Sequence, residues 1–196
     1  QNPVDQTNDD YRRRNTITFN LNGAATIKLS KDLTYRISYG NDFYQGINNM
    51  FSGIHTYEAI LKGQQPIVSI QQTNTSRYRL SNTLTYSRRN ILPGNNMTVM
   101  VGQELNSYKR ATITDKSQYF PKYIDAYSAL SNMQLGTPDP TTTSVSPDDK
   151  LDSYFGRINY DYRSRYLVSA TLRADGSSKF APGNQWGYFP SGSLGW

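Results

Sequence analysis

Ser153-Tyr154-Phe155-Gly156-Arg157-Ile158-Asn159-Tyr160-Asp161-Tyr162 is followed, after Arg163-Ser164-Arg165, by Tyr166-Leu167-Val168-Ser169-Ala170-Thr171-Leu172-Arg173-Ala174-Asp175-Gly176. Both runs alternate with a period of two. Tyr154, Ile158, Tyr160 and Tyr162 fall on one parity, and Tyr166, Val168, Ala170, Leu172 and Ala174 continue that apolar face. Arg157, Asn159, Asp161, Arg173 and Asp175 fall on the other. Successive strand side chains point to opposite faces, so this pattern predicts two strands, each with one apolar and one polar face. A three-residue link between them predicts an antiparallel hairpin.

The same alternation extends outward. Ile17, Phe19, Leu21, Ala25, Ile27 and Leu29 share a parity, and Leu33, Tyr35, Ile37 and Tyr39 resume it after Ser30-Lys31-Asp32. Tyr78, Leu80, Leu84 and Tyr86 mark a strand over 76–88, with Arg77 and Arg79 on its polar side. Pro93-Gly94-Asn95 marks a turn, and Met97, Val99, Val101 and Leu105 mark the next strand over 97–108. A seventh strand starts near Gly187. Short turns at 30–32, 89–95 and 163–165 alternate with long links at about 46–75, 109–152 and 176–187. A sandwich keeps most of its links short. A transmembrane barrel has short turns on one side and long loops on the other. Tyr35, Tyr39, Tyr86, Tyr160, Tyr162 and Tyr166 lie on apolar faces, several near strand ends, where their rings would meet the headgroups.

Composition narrows the reading. Sixteen tyrosines and no cysteine exclude a disulfide framework and thiol chemistry. No run of about 18 apolar residues offers a membrane-crossing helix, but barrel strands average out as polar and escape that criterion. The net charge of +6 raises the question of nucleic acid. The cations are spread along the chain, and the one dense run, Arg12-Arg13-Arg14, reads as a solvated strand entrance; no nucleic-acid partner is expected. The chain starts at Gln1 without an initiator Met, so the start reads as mature or truncated. Seven strands do not close as an even-stranded bacterial barrel, and unpaired edges are not tolerated in lipid. Neighbouring strands are therefore expected from chain not included here.

Enzyme chemistry finds little support. His55 is the single histidine, no nucleophile elbow surrounds a serine, and no phosphate-cradling glycine motif occurs. Asp148, Asp149 and Asp152 form a loose acidic group in the longest loop, without the spacing of a calcium loop. No catalytic residue, cofactor or metal is assigned.

Residues 153–196 resemble a specific family. The hairpin quoted above, its continuation Ser177-Ser178-Lys179-Phe180 and the run Gly183-Asn184-Gln185-Trp186-Gly187-Tyr188-Phe189-Pro190-Ser191 are similar to a barrel segment of SusC/RagA TonB-linked outer-membrane proteins. Asn2-Pro3, the hairpin around Ser30-Lys31-Asp32 and the strand with Leu84-Thr85-Tyr86 match more loosely, in the expected order. The resemblance implies an all-β fold: an antiparallel transmembrane β-barrel segment, about seven strands of a barrel of roughly 22. All of 1–196 would be barrel, with the plug, the TonB box and the remaining strands absent. It implies import of oligosaccharides or peptides across the bacterial outer membrane. The implied partners are a SusD-like surface lipoprotein, TonB acting through the absent N-terminal part, the glycan or peptide solute, and outer-membrane lipid.

By parity, Arg36, Arg79, Arg157, Asn159, Asp161, Arg173 and Asp175 would face the lumen, with Arg173 and Asp175 either forming an ion pair there or meeting the plug, and Asp175-Gly176 as a turn needing positive φ at glycine. Trp186, Tyr188 and Phe189 would serve as an interfacial girdle or as a stacking surface for solute. Competing readings are a secreted soluble β-domain that binds carbohydrate or acts in adhesion, a compact barrel ending at Trp196, and, last, an enzyme dependent on His55.

Overall fold

The computed structural model describes residues 3–196; Asn2, part of the looser resemblance, lies outside them. A short helix α1 (Pro3–Asn8) leads into β1 (Asp10–Lys28) and β2 (Leu33–Ser52). Helix α2 (Tyr57–Ile60) precedes β3 (Ile67–Arg88) and β4 (Asn95–Gln118). Helix α3 (Ala126–Ser131), a 3-10 turn (Met133–Leu135) and two short strands, β5 (Thr137–Pro138) and β6 (Thr142–Val145), follow. The chain then forms β7 (Asp149–Tyr162), β8 (Tyr166–Ser177) and β9 (Trp186–Gly195). One antiparallel sheet runs β1-β2-β3-β4-β7-β8-β9, with β5 and β6 paired to β4 off this path. Seven strands thus lie along the main path, as the alternation predicts.

Each short turn has a local cause. The Ser30 hydroxyl accepts from the amides of Asp32 and Leu33, at 3.3 and 3.1 Å, which closes the first turn. Pro93 and Gly94, the latter at φ +77, fit the type II pattern, with Asn95 N–H donating to Leu92 O at 2.9 Å. In the third turn Arg163 and Ser164 both adopt left-handed φ, 53° and 52°, and Arg165 N–H donates to Tyr162 O at 3.1 Å. That is type I′ geometry, which usually takes Asn-Gly.

The first four strands run well past the alternating stretches. β2 continues to Ser52, β3 begins at Ile67 and β4 continues to Gln118, so the long connections shrink to 53–66, 119–148 and 178–185. These strand extensions carry polar residues on both parities, such as Gln71, Gln72, Thr73 and Asn74. They therefore lack the one-sided pattern from which strands are read, while their backbone ladder continues. The acidic group is displaced with them: Asp149 and Asp152 lie within β7, not in a loop.

Two compact units are distinguishable. One comprises the described residues up to Phe19 with Phe43–Thr75 and Arg110–Ser146. It has a small core of Phe51, Val68, Phe120 and Ala129, against which Ile124, Ala126, Leu130 and Met133 pack. Ser117, also buried, donates to Met133 O at 2.8 Å, so its burial leaves no donor unmet.

The other unit comprises Asn20–Asp42, Ser76–Lys109 and Pro147–Trp196, and it is built differently. Val99, Ile158 and Ala170 align across three strands, as do Met97, Tyr160, Val168 and Leu194 across four. This face is apolar yet open: Ile158 is 50 % exposed, Val168 43 % and Leu172 55 %. A soluble domain buries such a surface. Here the apolar band has aromatic borders. Tyr162 and Tyr166 stack at 6.3 Å beside the short turn, and Tyr154 and Trp186 meet at 6.0 Å toward the other end. Along β7 the stretch Tyr154–Tyr162 is nine residues counted inclusively, within the roughly 9–11 that a tilted strand uses to cross a bilayer.

Two expectations follow. Phe120→Ala should cost about 3–5 kcal/mol of local stability and open the 119–148 connection to limited proteolysis, whereas Tyr123→Ala, at an exposed position, should leave digestion unchanged; equal digestion would show that this core does not hold the connection. The Ser128 hydroxyl, then its amide, hold the Asp125 carboxyl below its ordinary value. A depressed folded pKa means that this cap is intact above the unfolded value and lost as pH falls through the folded one. Carboxyl NMR of Asp125 should therefore show a low midpoint that rises in Ser128→Ala; an unchanged midpoint contradicts the assignment.

Candidate functional site

The polar face of the second unit is the counterpart of its apolar band. Register sets Thr98 beside Asn159, Met100 beside Arg157 and Asn96 beside Asp161, and then Arg157 beside Thr171 and Asn159 beside Ser169. Side-chain bonds follow these rows. Arg157 Nε donates to Thr171 Oγ1 at 3.1 Å, Ser169 Oγ to Asn159 Oδ1 at 2.8 Å and Asn96 Nδ2 to Asp161 Oδ2 at 3.3 Å. Asp161 also accepts the Ser164 amide at 2.7 Å, so it closes the type I′ turn as well as facing this surface.

Arg79 belongs to the same face. Its Nε donates to Asn106 Oδ1 at 3.2 Å, and Asn106 Nδ2 donates onward to Glu104 Oε1 at 2.9 Å. The Arg77 guanidinium lies 5.4 Å from the centre of the Tyr108 ring, within cation–π range. Asn22, Ser38, Gly40, Asp42, Arg77 and Arg79 line an open groove of about 400 Å³. Arg36, exposed, shares the parity of Ser38 and Gly40 in β2. Register thus puts Arg157, Asn159, Asp161, Arg173 and Asp175 on one face, Arg79 joins them through Asn106, and Arg36 is aligned with them by parity alone; they are spread over four strands and do not converge on one point.

Of the two alternatives for Arg173 and Asp175, an ion pair is present, with Nε 2.7 Å from Oδ1. Asp175-Gly176 is not a turn, however. Both residues lie inside β8, and Gly176 is not among the positive-φ glycines. Its lack of a side chain serves close approach instead, because a Cβ there would stand 2.9 Å from the Trp186 ring. Cross-strand packing, which sequence does not display, requires this glycine.

The aromatic cluster is divided by register. Trp186 pairs with Gly176 and Tyr188 with Ala174 on the apolar face, whereas Phe189 pairs with Arg173 on the polar face. Phe155 pairs with Arg173 from the other side, and the Arg173 guanidinium lies 5.6 Å from the Phe155 ring centre. Phe155-Arg173-Phe189 is thus a cross-strand row of an arginine between two phenylalanines. Phe155 escaped the sequence reading although its parity, shared with Arg157, identifies its face.

Other candidate groups are held in local contacts. Lys109 Nζ lies 2.8 Å from Asp148 and Lys179 Nζ 3.1 Å from Asp149, while Gln103 Nε2 donates to Asp152 Oδ1 at 3.2 Å. The hydrogen bond and charge of Asp148 raise the pKa of Lys109. His55 Nδ1 lies 2.6 Å from Asp9 Oδ2, which also accepts the His55 amide at 3.0 Å. This pair fastens the start of β1 to the segment that follows β2.

No protein-family model matches the chain. It is 27 % identical over 198 residues to the TonB-dependent receptor SusC of Bacteroides thetaiotaomicron, covering 100 % of this chain and 18 % of that protein. It is also 27 % identical over 194 residues to TonB-dependent receptor P39 of Formosa agariphila, covering 97 % of this chain and 17 % of the relative. The chain thus spans about a fifth of the length of these relatives. Among solved structures, that of the RagAB peptide transporter superposes with a TM-score of 0.82 at 20 % identity, covering 95 % of this chain and 20 % of that one. The RagAB peptide importer in its closed-closed state gives 0.77 at 21 % identity over 94 % of this chain and 20 % of that one. In sequence the chain is therefore similar to TonB-dependent receptors, as the motifs at 153–191 suggest, and in fold it is an antiparallel transmembrane β-barrel segment like the one it superposes on in the RagAB structures.

Proposed function

We propose that this chain is part of the wall of an outer-membrane importer for oligosaccharides or peptides, driven by TonB and partnered by a SusD-like surface lipoprotein. The observation that carries the reading is the two-faced second unit, whose apolar face is exposed and bordered by aromatics while Arg157, Asn159, Asp161, Arg173 and Asp175 share the opposite parity in register, as Arg36 and Arg79 do along their own strands. In a membrane the first face meets lipid and the second lines an aqueous lumen or meets a plug. The edges of β1 and β9 are then completed by neighbouring strands, because hydrocarbon offers no partner for a free N–H or C=O. The short turns lie on the periplasmic side, and the connections 53–66, 119–148 and 178–185 carry the contacts to solute and lipoprotein. Tyr154, Tyr162, Tyr166, Trp186 and Tyr188 are girdle residues, and Phe189, on the other face, is the aromatic available to a solute. A secreted β-domain is disfavoured by the exposure of Ile158, Val168 and Leu172.

Spin labels placed one at a time in the full-length protein in liposomes test the two faces. Labels at Ile158 and Leu172 should relax with oxygen, and labels at Asn159 and Thr171 with a water-soluble nickel chelate; chelate access to both pairs alike would refute the lipid-facing assignment. For the function, cells bearing the full-length protein should accumulate labelled oligosaccharide or peptide only with TonB and the lipoprotein present. Undiminished uptake without TonB would overturn the energy coupling.

A further inference from the structure

The three short turns form a contiguous rim. Ser87 N–H donates to Asp32 O at 2.8 Å, and Arg163 N–H donates to Gly94 O at 2.6 Å. This rim is cationic. Lys28, Lys31, Arg88, Arg89, Arg163 and Arg165 stand against two carboxylates, Asp32 and Asp161. Those carboxylates offset part of it, Asp32 lying 3.9 Å from Arg88 Nε and Asp161 accepting from Ser164 and Asn96, so six cations against two anions leave an excess of four.

Two of the arginines are held against the border of the apolar band. The Arg163 guanidinium lies 5.2 Å from the Tyr162 ring centre and that of Arg165 5.5 Å from Tyr166, and these two rings stack on each other. Tyrosines at such a border sit at the level of lipid headgroups. The turn that presents Arg163 does so at a conformational cost, since Arg163 and Ser164 take the left-handed φ that Asn-Gly would take without strain. Strained backbone of this kind clusters at functional sites. Gly94 leaves the room required, because a Cβ there would stand 2.8 Å from Arg163 Cγ.

We propose that this rim is a binding belt for anionic phospholipid, in which Arg163 and Arg165 hold the headgroup phosphodiester while the acyl chains lie along the apolar face beginning at Tyr162 and Tyr166. A guanidinium offers paired donors that match phosphate oxygens, and clustered basic residues beside a bilayer attract anionic lipid. Arg88, on the parity of Tyr86, and Lys31 add to the positive field. The inference rests on the barrel fold and not on the identity of solute, lipoprotein or energy source.

The test uses the full-length protein in detergent, mixed with phosphatidylglycerol or phosphatidylcholine, with retained lipid counted by native mass spectrometry. Phosphatidylglycerol should be retained over phosphatidylcholine. Arg163→Gln/Arg165→Gln should lower its retention by about fivefold for each arginine removed, and the double lysine variant should keep an intermediate share. A second variant separates binding from folding: Arg163→Asn/Ser164→Gly relieves the turn, should unfold at an equal or higher temperature, and should still lose phosphatidylglycerol. Inorganic phosphate should not displace the lipid. Equal retention of the two lipids by the wild type, undiminished retention in either charge-removing variant, or displacement by inorganic phosphate would each overturn the proposal. Failure of the barrel assignment itself would appear separately, as chelate access to labels at Ile158 and Leu172.

Discussion

Hydrocarbon provides no hydrogen-bond partner for a peptide group, and the architecture of the second unit answers to that constraint. A sheet satisfies it through its ladder, and the uninterrupted pairing of β4, β7, β8 and β9 over the apolar band does so row by row. With the backbone satisfied between strands, side chains are free to differ by face. One face can then be as apolar as the lipid while the other remains polar, and no buried core is needed between them. The exposure of Ile158, Val168 and Leu172 is thus the counterpart of the backbone ladder, not a defect in packing.

The two units handle their apolar side chains differently. Around Phe51, Val68, Phe120 and Ala129, burial comes from helices and turns folding over strand extensions, the ordinary response of apolar groups to water. In the second unit the largest apolar residues stay outside, and polar groups such as Arg173 and Asp175 pair on the opposite surface. The aromatic borders lie within the second unit at both ends of its apolar band, where tyrosine and tryptophan combine an apolar ring with a polar atom. Arginine at the short turns continues that logic, because a guanidinium can rest on a ring and still offer donors to a phosphate.

How much was legible follows from the same physics. Alternation is visible only where the two faces meet different media. Residues 153–176 therefore read as a hairpin, and the polar residues of one parity as one face. The extensions at 43–52, 67–75 and 109–118 went unread as strands because no one-sided apolar pattern distinguishes them. Asp175-Gly176 has the composition of a turn, whereas the actual neighbour of Gly176 is Trp186, ten residues later and on the next strand. Phe189 is close to Trp186 and Tyr188 in sequence, yet its parity separates it from both.

By itself, then, the order of residues determined the strands of the band, their two-faced character, the sites of the short turns and the resemblance to SusC/RagA receptors, because these depend on neighbours one or two positions away. Tertiary structure decided what depends on register between strands: that Phe155 and Phe189 flank Arg173, that Trp186 covers Gly176, that Lys109 meets Asp148, and that three separate turns bring their cations to one rim. Register arises from hydrogen bonds between segments distant in the chain, and a shift of one residue would exchange the two faces. No local pattern carries that information; the pairing of whole strands does.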